Sequence, residues 1–299
     1  MLPVLLVHGG VGSTVPKKAD ADSRLNAVRN AVLAGHQALL NGGNAIDGVE
    51  TAVNVMEESG VLNAGRGAVT QADGQQRMDA TIMMGDLFMA GAVASLRGIL
   101  HPISVARKIM EETPHVMLAH DFAKELALQW GIPVLPDSPN SDNVPSSPAG
   151  ETVGAVALDQ DGHLAAGTST GGLQGTAPGR IGDTAIIGAG TFANTYGAAS
   201  ATGIGENIIK LGITRLVVSF LEFEHTPAQA AIDRGLEYYQ TFTDTTLGMI
   251  VLGREGEWGV GFLGGLMPWA VVTPASKTDY ELQCGVDRRS SIRQRISPE

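Results

Sequence analysis

Apolar and polar positions follow two rhythms along this chain, and the switches between them mark out its elements. Val4–Val7 is a continuous apolar run of the buried-strand type. It ends in His8-Gly9-Gly10, a turn where backbone can come close to another group. A helical rhythm follows, with Leu25, Val28, Val32, Leu39 and Leu40 on one face, Asp22 or Ser23 as cap and Gly42-Gly43 as stop, predicting a helix over 22–40. Asn44 caps the next helix, with Asp47 at the third position and Ile46, Val49, Val53 and Met56 as its apolar stripe. Beyond a loop over 60–67, alternation predicts strands over 67–71, 76–84 and 89–96. Pro102 opens a helix to Glu112, and a further helix covers 120–130.

Residues 133–150 show no period and carry Pro133, Pro136, Pro139, Pro145 and Pro148, which predicts an exposed, flexible linker over 133–151, the usual place for a nick. Strands follow over 153–158 and 163–170, joined by Asp159-Gln160-Asp161-Gly162. An irregular Gly/Pro segment leads to strands over 184–190 and 197–202 and a helix over 205–222. Thr226-Pro227 starts a helix to Tyr239, strands are expected over 247–253, 257–263 and 269–273, and the polar tail from Ala275 reads as loosely held. Strands and helices come in runs, without a βα alternation. That order predicts an α+β fold, a four-layer αββα sandwich of two mostly antiparallel sheets, as a single domain over 1–299.

Composition narrows the function. With 39 glycines and 5% aromatics in 299 residues, tight turns and small side chains are favoured over an aromatic binding face. A net charge of −11 argues against nucleic-acid and acidic-membrane partners. The lone Cys284 excludes an intramolecular disulfide or a cysteine metal cluster. No secretion signal and no membrane-length apolar run is apparent, so a cytoplasmic protein is expected.

The chemistry centres on the hairpin after the linker. With its turn at Asp161, Thr152 and Thr170 face each other across the paired strands. Such a pair can simply hold a sheet together. It can also be a nucleophile and its partner, but a threonine hydroxyl needs a base, and none of the residues 150–162 is a histidine. If the backbone were cut before Thr152, its own α-amine, of pKa about 7.7–8, would supply that base. Thr202-Gly203 at a strand end offers backbone donors for an oxyanion, or an ordinary strand–helix turn. Arg180 and Asp183 offer opposite charges for a substrate with carboxylate and ammonium groups, or a surface ion pair. Asn63 sits among small residues in a Gly-rich loop.

Two motifs point elsewhere and fail on context. Gly167-Thr168-Ser169-Thr170-Gly171 spells a nucleophile elbow, but Gly171, Gly172, Gly175, Pro178 and Gly179 forbid the helix it requires. Gly188-Ala189-Gly190-Thr191-Phe192-Ala193 spells a dinucleotide fingerprint, yet Asn194-Thr195-Tyr196-Gly197 reads as a turn into another strand.

The runs Thr152–Asp159, Thr168–Gly172, Pro178–Asp183, Ile187–Gly190 and Ser200–Glu206 resemble the plant-type asparaginase/isoaspartyl peptidase family of N-terminal nucleophile hydrolases. His8–Gly10, Leu62–Ala68, Met78–Ala80 and Ala90–Ala94 agree with it. The resemblance extends to about residue 270. It implies self-cleavage between Glu151 and Thr152 into chains 1–151 and 152–299, and hydrolysis of β-aspartyl dipeptides, L-asparagine or both through an ester on Thr152. By the same resemblance Thr170 is the hydroxyl partner of the nucleophile. Arg180 grips the substrate α-carboxylate and Asp183 its α-amine, while Thr202 and Gly203 form the oxyanion site with help from Asn63. No cofactor is expected for catalysis. A structural sodium would be held by the carbonyls of Met56, Glu57, Ser59, Leu62, Ala64 and Arg66, and the assembly would be a homodimer of αβ units. A glycosylasparaginase or threonine endopeptidase of the same family, and an uncut homologue that only binds an amino acid, are the rival readings. Glu151 departs from the Gly or Asp usual before the nucleophile and raises the question of how fast the chain is cut.

Overall fold

The computed structural model describes residues 1–13, 17–135, 151–276, 279–287 and 291–297. The linker expected over 133–151 falls largely on 136–150, outside the described residues.

In chain order the elements are β1 (Val4–His8), α1 (Lys18–Leu40), α2 (Ala45–Glu58), β2 (Met78–Met84), β3 (Met89–Leu96), α3 (Pro102–Glu112), β4 (Met117–Ala119), α4 (His120–Gln129), β5 (Val153–Leu158) and β6 (Leu164–Thr170). They continue as β7 (Thr191–Ala193), β8 (Gly197–Gly203), α5 (Gly205–Leu211), α6 (Ile213–Glu224), α7 (Ala228–Gln240), β9 (Leu247–Gly253), β10 (Trp258–Leu263), β11 (Trp269–Pro274), β12 (Tyr280–Gly285) and β13 (Ser291–Ile296). Among the described residues nine strands form one sheet in the order β13-β12-β11-β1-β5-β6-β2-β3-β4, and four form a second in the order β10-β9-β8-β7. The pairs are antiparallel apart from β3 with β4.

Strand alternation makes the layers. On β1, Leu5 and Val7 join a core shared with α1, α2 and α3, whereas Val4 and Leu6 join a second core shared with β8, β9, α6 and α7. On β5, Val153, Ala155 and Ala157 take the first side, and Val156 and Leu158 the second. Both faces of the larger sheet are therefore dry at β1 and β5, and each fully buried Leu or Val contributes about 1.5–3 kcal/mol. The result is helices, sheet, sheet, helices, the αββα order expected from the element sequence.

Several local expectations are corrected. The strand expected over 67–71 is a 3-10 turn at Gly65–Gly67 and one bridge between Thr70 and Gln76. That over 184–190 is a 3-10 turn at Asp183–Ala185 followed by β7, because Gly188, at φ 86°, breaks the run. The helix over 205–222 is split at Gly212, in the left-handed region at φ 57°. The tail is anchored: β12 and β13 extend the large sheet.

Where the sheets meet beside β5, small residues are obligatory. A methyl on Gly154 would sit 2.0 Å from Ser200 Oγ and 2.4 Å from His8 Nε2. Gly154→Ala is therefore expected to lower unfolding stability by about 1–3 kcal/mol in a denaturant titration.

Candidate active site

The hairpin β5–β6 pairs Val153 with Ser169 and Gly154 with Thr168. This is the register that the turn position predicts, and it brings Thr152 opposite Thr170. Thr152 Oγ1 donates to Thr170 Oγ1 at 3.1 Å, and both side chains are buried. Thr170 Oγ1 also accepts from Gly172 N at 3.0 Å and lies 3.3 Å from the carbonyl oxygen of Glu151, to which it donates.

That carbonyl has a second donor. Asn63 Nδ2 reaches it at 2.7 Å, while Asn63 Oδ1 accepts from Val69 N at 2.9 Å. The loop carrying Asn63 starts where α2 ends. Asn44 and Asp47 form a complete capping box at the other end of that helix. On the nitrogen side of the same peptide lies Gly10, at φ 97°. A Cβ there would stand 2.7 Å from Thr152 N and 2.6 Å from Glu151 Cβ. The close approach expected of His8-Gly9-Gly10 is thus onto the Glu151–Thr152 bond. His8 pairs with Gly154 in the ladder and bonds Ser200 Oγ through Nε2 at 2.8 Å. Burial drives its pKa down to about 3, partly offset by the Thr152 backbone, so it is neutral.

Thr202 comes to the site indirectly. Its Oγ1 accepts from Val11 N at 3.3 Å, next to Gly10, and Gly203 ends β8 in an extended left-handed conformation at φ 147°. Beyond β6, Arg180 and Asp183 lie together against the start of α5: a Cβ on Gly205 would be 2.7 Å from Arg180 Nη2 and 2.8 Å from Asp183 Oδ1. Arg180 gives Nε and Nη2 to the Glu206 carboxylate at 2.9 and 3.0 Å. Its Nη1 faces Gly172 and Gly182. Asp183 is buried, and loss of hydration raises its pKa to about 7, with nearby Arg180 opposing and Asp79 and Glu206 adding to the rise. Its Oδ2 has no hydrogen-bond partner among the described residues.

The two misleading motifs resolve as their context suggests. Ser169 lies within β6 on the face opposite Thr170 and donates to the buried Glu57 at 2.6 Å. Gly188–Gly190 runs into β7, with no helix.

Sequence reasoning misses Arg24. It stands in the buried stripe of α1 with Ala27, Val28, Ala31 and Val32, and forms a salt bridge with Glu151. A cation in the apolar phase of a helix is the signal that could have found it. Glu206 lies in a motif already singled out, but only folding brings it to Arg180.

The Asparaginase family model matches residues 1–144 and 135–282. The isoaspartyl peptidase/L-asparaginase of Xenopus laevis is 40% identical over 303 residues, covering 96% of each chain. Those of Danio rerio and Bos taurus are each 38% identical, covering 90% and 96% of this chain and 92% and 97% of theirs.

Removing one member of a buried ion pair costs on the order of 3 kcal/mol, because a charge is left behind. Arg24→Ala is expected to lose that much in chemical unfolding. Adding Glu151→Gln should recover most of it.

Proposed function

This chain belongs to the asparaginase family, and from that premise we propose that it cuts its own Glu151–Thr152 bond and then hydrolyses β-aspartyl dipeptides and L-asparagine. The observation that carries the reading is the Glu151 carbonyl, flanked by two donors and adjacent to a hydroxyl that is itself hydrogen-bonded.

In the first stage Thr152 Oγ1 attacks the Glu151 carbonyl carbon and passes its proton towards Thr170 Oγ1. Negative charge gathers on the Glu151 oxygen, where Asn63 Nδ2 and the Thr170 hydroxyl already donate. The proton relayed by Thr170 Oγ1 passes to Thr152 N as the C–N bond breaks, so the acyl group moves from nitrogen to oxygen and the Thr152 amine is freed. Water hydrolyses the ester, leaving Glu151 as a new carboxyl terminus and Thr152 as a new amino terminus. Glu151 is bulkier than a glycine, but its side chain is tied to Arg24, which holds its carbonyl between the two donors.

In the second stage the freed amine takes the proton from Thr152 Oγ1. The oxygen attacks the side-chain amide carbon of the substrate, with Thr202 and Gly203 holding the oxyanion. Ammonia or the second amino acid leaves with the proton, and water releases aspartate from the ester. Arg180 receives the α-carboxylate beside Glu206, and the ionised Asp183 receives the α-ammonium. The same reading makes residues 1–299 one domain, cut into 1–151 and 152–299, working in the cytoplasm as a dimer of αβ units.

A structural sodium on the loop before Asn63 belongs to this proposal. In its favour, Gly65 and Gly67 leave open a cradle of carbonyl oxygens: a Cβ would come within 2.5 Å of Glu57 O and 2.2 Å of Leu62 O. With the carbonyls of Met56, Ser59, Ala64 and Arg66 the loop offers the hard oxygens a monovalent cation takes. The ion would brace Asn63 and take no part in bond making.

Two measurements test the reading. On a denaturing gel, purified protein is expected to give two bands, the smaller beginning Thr-Val-Gly-Ala. Thr152→Ala should stay whole and inactive, and Asn63→Ala should be cut about a hundredfold more slowly. A single uncut, inactive wild-type band would sink the proposal. Because Asp183 must be ionised to hold an ammonium and its pKa is raised to about 7, kcat/KM for either substrate should fall as pH drops below about 7. The freed Thr152 amine, of pKa about 7.7–8, titrates just above it, so a limb that falls with one proton instead of two would remove Asp183 from this role.

A further inference from the structure

The segment that carries Arg180 and Asp183 has little regular structure of its own: a 3-10 turn begins only at Asp183. Its backbone is held by two side chains from the first half of the chain. Gln71 pairs with it as a neighbouring strand would, donating Nε2 to Arg180 O at 3.0 Å and accepting from Gly179 N through Oε1 at 2.9 Å. The amide is oriented by Arg77, whose Nη1 donates to Gln71 Oε1 at 2.9 Å while the guanidinium is also paired with Asp73. Two residues further on, Asp79 Oδ2 accepts from Gly182 N at 3.0 Å, and its other oxygen accepts from Ser95 N at 2.8 Å.

The placing of Asp79 has a structural cost. The β2–β3 register slips between Met78 and Ala80, so Asp79 sits at a bulge. Ser95, the residue that secures its second oxygen, has φ 55°, a left-handed conformation that strains a non-glycine residue. Asp79 is itself buried, and dehydration raises its pKa to about 6 against the pull of the two N–H groups and Arg180. A bulge, a left-handed serine and a buried carboxylate all converge on one N–H of the Arg180–Asp183 segment.

We infer that Gln71 and Asp79 are positioning residues that set the distance and direction of the Arg180–Asp183 clamp, and through it the affinity for the α-amino-acid end of the substrate. The inference rests on the functional reading above. Neither side chain hydrogen-bonds to Thr152, Asn63 or the Glu151 carbonyl, so cutting of the chain does not depend on them. They act on substrate binding and leave the nucleophile alone.

The test uses full-length Gln71→Ala and Asp79→Asn beside the wild type. Self-cleavage is timed on a denaturing gel, and kcat and KM are measured with a β-aspartyl dipeptide and with L-asparagine. Asparagine at position 79 keeps the shape but can accept from only one of the two N–H groups. The expected result is a KM raised about tenfold for both substrates, with kcat and the self-cleavage half-time within about threefold of wild type. A KM that stays at the wild-type value overturns the inference. So does a rise in KM matched by an equal slowing of self-cleavage, which would mean general loosening. If Asp79→Asn fails to fold, the KM of Gln71→Ala decides by the same criteria. A wild type that turns over neither substrate overturns the functional reading and this inference with it, whereas active wild type beside variants of unchanged KM overturns this inference alone.

Discussion

One peptide unit constrains much of this molecule. The Glu151 carbonyl must find donors in a buried place, where an unpaired carbonyl costs about 1–3 kcal/mol. It finds Asn63 and Thr170. Its nitrogen side must be approached by backbone alone, and Gly10 provides that. Each of these partners comes from a different element: the end of β1, the loop after α2 and the end of β6. The two-sheet core fixes those three ends relative to one another. A nucleophile at that strand end, as proposed for Thr152, would gain its precision from the ladder on both sides of it.

The buried carboxylates show how the site is divided between structure and chemistry. Glu57 is wholly buried and raised in pKa by dehydration, but Ser169, Ile103 N and His101 occupy its oxygens. Asp79 has two backbone donors. Asp183 is as deeply buried and keeps an oxygen with no partner among the described residues. Buried polar atoms are nearly always paired, and an exception calls for a reason. A substrate ammonium would meet Asp183 where the protein leaves it unmet. Arg180, by contrast, is engaged by the exposed arm of Glu206, so a substrate carboxylate would enter beside an existing ion pair whose Glu206 side is open to water.

How much of this could be read from the residues depends on the range of the interaction. Periodicity found α2 and its capping box, the hairpin and its register, because each is decided within a few residues. Glycine misled where its backbone freedom mattered more than the apolar pattern around it: Gly188 ends an apparent strand and Gly212 divides an apparent helix. The tail looked too polar for a sheet, yet β13 is an edge strand whose residues are mostly exposed, and such a strand need not alternate. Within the site, Thr152 and Thr170 were legible because a turn fixes their opposition. Arg24 against Glu151, Gln71 against Arg180 and Asp79 against Gly182 were not. Each joins residues far apart in sequence, and only the packed sheet says which polar group meets which.

The strand order bears on whether such a chain could survive being cut. Residues up to Glu151 supply β1 to β4, and those from Thr152 supply β5 to β13. In the large sheet these interleave: β1 lies between β11 and β5, and β6 pairs with β2. Among the described residues three ladders therefore join the two halves, with a dry core on each side of them. A break between Glu151 and Thr152 removes no ladder pair, because β5 begins at Val153. What it changes is local. A new ammonium would appear between Gly10 and Thr170, and the Glu151 carboxylate would be released from its geometric tie to Thr152. The rest of the structure already holds both halves by non-covalent contacts alone, which is the condition a self-cleaving nucleophile at this position needs.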